Sequence, residues 1–293
     1  MSEQPNTSGW TADDWLIQRY KYIPSALAAI LFAVLFTLTT SLHAFQLVRW
    51  NTWYFIPFLI GGLFETAGYT MRAIDTGVAN KVLFVNQTSL ILLAPALYAA
   101  SIYMILRRLI LILDAERYSL VPVRWLTKIF VGCDVLSFLA QGAGGAMQAS
   151  KSSGKSTATP GKEDIGNYLV IGGLVFQLAV FAFFMVVTGT FHLGIHRRPT
   201  TRSATAQVPW RQFIYVLYIG SVLIMIRSIF RVVEYIQGRE GYLMSHEAFA
   251  YILDTTIVFL VSIEFNLFHP SRILSSRTKD SYLLDNNDQD ESV

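Results

Sequence analysis

Seven ionisable side chains stand inside stretches of sequence that are otherwise almost wholly apolar: Glu65, Asp134, Arg227, Arg231, Glu234, Asp254 and Glu264. On insertion scales a charged residue at the centre of a membrane helix costs roughly 2.5 to 3.5 kcal/mol, so each of these needs a partner or a polar cavity. Their spacing groups them. Arg227, Arg231 and Glu234 stand at i, i+4 and i+7 and share one helical face. Glu65, Tyr69 and Arg72 repeat those offsets, as do Glu247, Tyr251 and Asp254. Three such stripes can form an ion-paired network in which Glu65, Glu234 and Asp254 neutralise Arg227 and Arg231. Equally, they can line a polar cavity that takes the head of an amphipathic molecule while its tail stays in lipid. Asp134, Gln141 and Gln177 lie mid-stretch in two other segments, where the glutamines either bond between helices or line the same cavity. The candidate substrate-binding residues are therefore Glu65, Tyr69, Arg72, Asp134, Gln141, Gln177, Arg227, Arg231, Glu234, Tyr251 and Asp254. Asp134 and Glu264 are also protonatable groups placed deeper toward the opposite side.

Other chemistries find little support. His192 and His196 have the i, i+4 spacing of a metal pair, but they lack an intervening Glu and an evident third ligand. His43 could ligate a metal or haem, and His246 and His269 flank the last apolar stretch. A membrane hydrolase needs histidines converging at one depth, and these are scattered. Cys133 is the only cysteine, which excludes intrachain disulfides and Cys-based metal sites. Gly142, Gly144 and Gly145 have no following Lys and so do not form a phosphate-binding loop. The expectation is a protein that is not an enzyme, with no metal and no cofactor, haem on His43 being the alternative.

The elements that must position these residues follow from composition. Of 293 residues, 53% are hydrophobic and 15% charged, against about 25% charged in an ordinary soluble domain. Seven runs meet the requirement of about 20 apolar residues for crossing a bilayer. They are Tyr22 to Phe45, Trp53 to Met71, Val82 to Ile105, Trp125 to Met147, Gly166 to Leu193, Phe213 to Tyr235 and Ala248 to Phe268. The second is the weakest, since it contains Glu65 and several glycines. In lipid each run must satisfy its backbone internally, so the predicted fold is all-α, a polytopic bundle of seven transmembrane helices. Paired glycines such as Gly61 and Gly62, or Gly172 and Gly173, suit close helix packing.

Lys and Arg are retained on the cytoplasmic side. Thirteen collect on the side of Arg49, Arg107, Arg197 and Arg272, and eight on the other, which places the N-terminus outside and the C-terminus inside. An Asn6-Thr7-Ser8 sequon agrees with that orientation. The expected organisation is an extracellular tail over 1–21, a membrane domain over 22–270 and a disordered cytoplasmic tail over 271–293. The Ser/Thr/Lys-rich stretch Gln148 to Lys162 reads as a flexible external loop. No secretory signal and no internal repeat is evident. A net charge of +3 gives no reason to expect a nucleic-acid partner.

Several ordered motifs carry a resemblance. They are Glu65-Thr-Ala-Gly68-Tyr69-Thr-Met-Arg72, Leu93-Ala-Pro95 through Tyr103 with Arg108, Phe130-Val-Gly-Cys-Asp134 with Gln141, Gly173-Leu-Val-Phe-Gln177, Arg227-Ser-Ile-Phe-Arg231-Val-Val-Glu234-Tyr235 with Gly238, and Glu247 with Tyr251 and Asp254. From about Tyr22 to Pro270 the chain resembles the fungal RTA1-like, or lipid-translocating exporter, family. That resemblance implies a seven-span protein of fungal membranes, often the plasma membrane, acting in export of sphingoid bases or resistance to toxic amphiphiles, and in some members in porphyrin handling. It carries over no catalytic residues. The expected partner is a membrane lipid or amphiphile; a seven-helix receptor-like sensor and a porphyrin-binding protein are the alternatives.

Overall fold

The computed structural model describes residues 11–151, 162–205, 210–238 and 241–271, and among these residues there is helix and no strand. A short helix, α1 (Ala12–Tyr20), precedes the first apolar run. Long helices follow: α2 (Ala26–Arg49), α3 (Ile56–Val78), α4 (Lys81–Ile112), α5 (Val123–Lys151), α6 (Lys162–Arg197), α7 (Trp210–Gln237) and α8 (Glu247–Leu267). Each expected apolar run is found as one of these seven. Six of them, α3 excepted, are long and apolar enough to cross a membrane by length and composition. The expected loop Gln148 to Lys162 falls largely outside the described residues, as do the sequon and nearly all of the expected tail after 270.

Helix starts follow capping rules. Thr11 caps α1 in a reciprocal box with Asp14, whose carboxyl is held below its ordinary range chiefly by the Thr11 backbone N–H and also by the Thr11 hydroxyl. Ser25 caps α2, Asn80 caps α4, and Pro57 enters α3 in its first turn, where a missing N–H costs nothing. Only Ala79 and Asn80 separate α3 from α4, with Ala79 in the left-handed region at φ 52, so the two helices are antiparallel neighbours.

The bundle is apolar outside as well as inside. Leu27, Leu31, Leu38 and Phe45 of α2 are exposed, as lipid-facing residues would be, whereas α4 runs through the middle with Tyr98, Ile102, Tyr103 and Leu106 fully buried. Glycines let α3 approach its neighbours. A Cβ on Gly61 would lie 2.7 Å from the Tyr98 ring, and one on Gly62 would lie 2.5 Å from the Thr40 hydroxyl.

Two features differ from the sequence reading. Residues 12–20 fold as a helix against α3, with Leu16 and Tyr20 buried. The last apolar run is not one regular α-helix, because Ala250–Thr255 is wound as a π-turn between α-helical pieces. Thr255 and Thr256 Oγ1 donate to the carbonyls of Ala250 and Tyr251, each five residues back, which supports the wider turn.

Candidate functional site: a buried charged layer

α7 presents Arg227, Arg231 and Glu234, and the π-turn of α8 presents Asp254 to the same place. Arg227 Nε pairs with Asp254 Oδ1, and both residues are only 5% exposed. Arg231 Nη1 donates to Glu234 Oε2 at 2.7 Å and lies 3.8 Å from Asp254 Oδ2. The second arm of Arg227 has a backbone partner, since its Nη2 donates to the Ile91 carbonyl at 3.5 Å. Pro95 explains why that carbonyl is free. Four residues along α4 it has no N–H to return to Ile91, so a prolyl break in one helix supplies an acceptor to an arginine of another.

Glu65 does not join this network as the sequence reading expected. It is 1% exposed, and neither carboxylate oxygen has a hydrogen-bond partner among the described residues. Arg227 and Asp254 are near enough to act on it through their charge, and Tyr69 and Tyr98 face it as well. The layer thus sets two guanidiniums against three carboxylates.

Arg72 and Glu247, the end members of two of the stripes, form a separate clasp. Arg72 Nη2 donates to the Tyr22 hydroxyl at 2.7 Å and to Glu247 Oε1 at 3.2 Å, and its guanidinium lies over the rings of Tyr20 and Tyr251 at 5.0 and 5.4 Å. Glu247 also accepts the Ser25 backbone N–H at 2.9 Å, tying the start of α2 to the start of α8. Next to it, the Tyr20 hydroxyl donates to Asp75 Oδ2 at 2.8 Å and accepts from Gln87, and burial pushes that hydroxyl above its ordinary range. Between clasp and layer, Tyr69 bonds the Thr255 hydroxyl and stacks on Phe36, and Tyr251 stacks on Phe32. Tyr20, Tyr22, Asp75 and Gln87 were not singled out by spacing. Asp75 was findable, since it follows Arg72 by three residues on the same helix face.

The remaining candidates lie in other contacts. Gln141 donates to Gln177 at 3.1 Å, an α5 to α6 bond, and no hydrogen bond among the described residues joins that pair to the charged layer. Asp134 is buried in α5, where it interacts with Tyr103 of α4. Glu264 is packed against α7 so tightly that a Cβ on Gly220 would meet its Oε2 at 3.0 Å. His43 is buried with Nε2 against the Ser262 carbonyl at 3.0 Å, and its ring packs edge-on to Phe58. Among the described residues no group of three or more His, Cys, Asp or Glu is placed to hold a metal. Two clefts lie elsewhere. One of about 460 Å³ is lined by Asp114, Glu116, Arg117, Pro199, Thr200, Thr201 and Arg202, and one of about 220 Å³ by His192, Leu193, His196, Trp210, Arg211 and Tyr215.

Known proteins resemble this chain over most of its length. A family model described as RTA1 like protein matches residues 58–277. Protein RTA1 of Saccharomyces cerevisiae is 34% identical over 279 residues, covering 86% of this chain and 84% of its own. Protoporphyrin uptake protein 1 of the same yeast is 32% identical, covering 85% and 90%. The Saccharomyces cerevisiae sphingoid long-chain base transporter RSB1 is 25% identical over 290 residues, covering 87% and 74%. No solved structure matches. With a family model across three quarters of the chain and relatives above 30% identity along nearly all of it, the chain is a helical membrane protein that belongs to the RTA1-like family.

Proposed function

We propose that the protein translocates lipids or other amphiphiles across the membrane, with the buried layer of Arg227, Arg231, Glu234 and Asp254 beside Glu65 receiving the polar head group. Under this reading α3 crosses with the other six long helices, the N-terminus lies outside, residues 22–270 form the membrane domain, and the protein acts at the plasma membrane. One observation carries the proposal. A network that only pins helices together has no need of a buried carboxylate without a hydrogen bond, yet Glu65 stands in that state within this layer, beside the Arg227 guanidinium, as Glu264 does away from it. A ligand head group would supply the missing partner. Arg72, Tyr69 and Tyr251 would then line the outer approach to the layer, and Asp134, Gln141 and Gln177 would brace it. The relatives support this indirectly, since one is named for sphingoid base transport and another for protoporphyrin uptake.

Reconstitution tests it. Full-length protein in liposomes should move labelled sphingosine or labelled phospholipid between leaflets at least tenfold faster than protein-free vesicles, and Arg227→Gln should remove most of that gain. Rates equal to empty vesicles reject the proposal. A porphyrin cargo is a second reading, favoured by the 32% identity to a protoporphyrin uptake protein. Its carboxylates would face Arg227 and Arg231, and protoporphyrin added to purified protein should shift its Soret band in the wild type and not in Arg227→Gln.

A further inference from the structure

In the buried layer the charged groups pair off with one remainder. Arg227 is taken by Asp254 and the Ile91 carbonyl, and Arg231 by Glu234. Glu65 is the carboxylate left over, enclosed on every side and without a hydrogen-bond donor. The charged or titratable groups that face it are Arg227 from α7, Asp254 from α8, Tyr98 from α4 and Tyr69 from its own helix. The one cation among them is already bound to Asp254. An ionised carboxylate in such a place carries a large penalty unless a positive partner is supplied.

Two species of the right charge would neutralise it. One is a proton; the other is a cationic group carried in by the cargo. Both neutralise the same oxygens, so they exclude each other. We propose that Glu65 is an exchange site, at which a cationic amphiphile head group entering the layer displaces one proton. The step balances. The carboxyl O–H breaks, the proton passes to water, and the cation takes its place, so the layer has the same net charge before and after. The bilayer interior strongly favours such an electroneutral swap, because neither state leaves a buried charge unmatched. Movement of a cationic amphiphile through the layer is then coupled to movement of a proton the other way. This inference rests on the head-group reading above and adds the coupling ion and the side chain that exchanges it.

The test uses a probe with no proton of its own. Full-length protein in phosphatidylcholine nanodiscs, in lightly buffered solution with a pH indicator, is titrated with a fluorescent long-chain quaternary ammonium amphiphile, with empty nanodiscs as the blank. The expected result is about one proton released per protein at saturation, together with affinity that rises by up to tenfold per pH unit, as linkage to one proton requires. Glu65→Gln should release none and bind at least tenfold more weakly, with no dependence on pH, whereas Glu65→Asp should still release a proton. Wild-type binding without proton release, or equal release from Glu65→Gln, overturns the exchange and leaves the head-group reading standing. No binding of this amphiphile by the wild type overturns the cationic cargo and the exchange, while movement of other lipids in liposomes still decides the head-group reading. The wild-type proton count is informative by itself, so a Glu65 variant that failed to fold would not spare the proposal.

Discussion

Arg72 and Arg227 are both guanidiniums withdrawn into the bundle, and both meet carboxylates of α8, but their surroundings differ in kind. Arg72 has one carboxylate, one phenol and two aromatic faces around it, supplied by Tyr20 and Tyr22, by Glu247 in the first turn of α8 and by Tyr251 in its π-turn, while its buried Nε lacks a hydrogen bond among the described residues. Around Arg227 the partners come from a π-turn and a carbonyl freed by proline, and a carboxylate remains over. The region around Arg72 is a clasp in which each carboxylate has a donor, Glu247 from Arg72 and Asp75 from the Tyr20 hydroxyl. In the inner region the chain departs from regular helix at two places, and there the charges do not match. Local departures of this kind persist where the surrounding structure holds them, and they mark function more often than stability.

The sharpest way to break the contrast is to remove one carboxylate from each region. Asp254→Ala leaves Arg227 buried without its partner and weakens Arg231 as well, which should cost about 3 to 5 kcal/mol. Glu247→Ala removes the one carboxylate on Arg72 but keeps the Tyr22 bond and both aromatic faces, and should cost less, about 1.5 to 3 kcal/mol. Thermal midpoints of the two purified variants in the same detergent measure the difference. Equal losses would mean that clasp and layer are the same kind of structure.

Packing around Glu65 offers the next largest effect. A Cβ at Gly61 or Gly62 would press on Tyr98 or Thr40, the side chains that seat α3 beside α4 and α2. Gly61→Val and Gly62→Val should each cost about 1 to 3 kcal/mol by overpacking. Gly172→Ala and Gly145→Ala, where an added Cβ meets nothing within 4 Å, should hold the midpoint or raise it slightly. If Gly61→Val is silent, Glu65 is less tightly enclosed than the layer requires.

Much of this was legible in the sequence because its grammar is local. Hydrophobic runs locate the long helices, with most ends within four residues and the C-terminal ends of α3 and α4 each placed seven residues short, and i, i+4, i+7 spacing marks the arginines and acids that the structure brings together. What escaped has specific causes. The second helix runs on to Val78, beyond the expected Met71, because Arg72 and Asp75 are held by the clasp and apolarity no longer reports on burial there. The π-turn leaves no sign in Ala250–Thr255, as its bonds differ from an α-helix only in register. The tie from Arg227 to Ile91 joins residues 136 apart in sequence, so Pro95 could be read as a kink but not as the source of an acceptor. The isolation of Glu65 is likewise a tertiary fact. Spacing showed that it could meet Arg227, but not that Asp254 would take the guanidinium first.

Loosening the clasp itself has a moderate effect. Tyr20→Phe deletes the hydroxyl that donates to Asp75 and accepts from Gln87, at about 1 kcal/mol. In a Cys133→Ser background, a cysteine placed at Leu16, which is buried under α1, should be labelled several-fold faster once Tyr20 is Phe. Labelling that does not change would show that α1 is held by its apolar face alone.

The smallest effect is expected at the far end of that helix, where the clasp meets water. Asp14 accepts the Thr11 backbone N–H at 2.8 Å, and its carboxyl lies below its ordinary value because of that bond. The sign follows from linkage. A carboxyl held lower in the folded state than in the unfolded one adds stability above the ordinary carboxylate range, near pH 4, and the gain is lost as pH falls through the lowered value. Amide exchange in Ala12–Tyr20 should therefore quicken slightly on going from about pH 5 to pH 3, relative to the chemical rate. Thr11→Ala, which keeps the backbone N–H, should only weaken that acid response, whereas Asp14→Asn should abolish it while leaving exchange at Arg72 and Asp254 untouched. Were the response to survive in Asp14→Asn, the acid-sensitive group would belong to the clasp and not to the capping box, and the separation drawn between the clasp and the charged layer would have to be redrawn around Asp75.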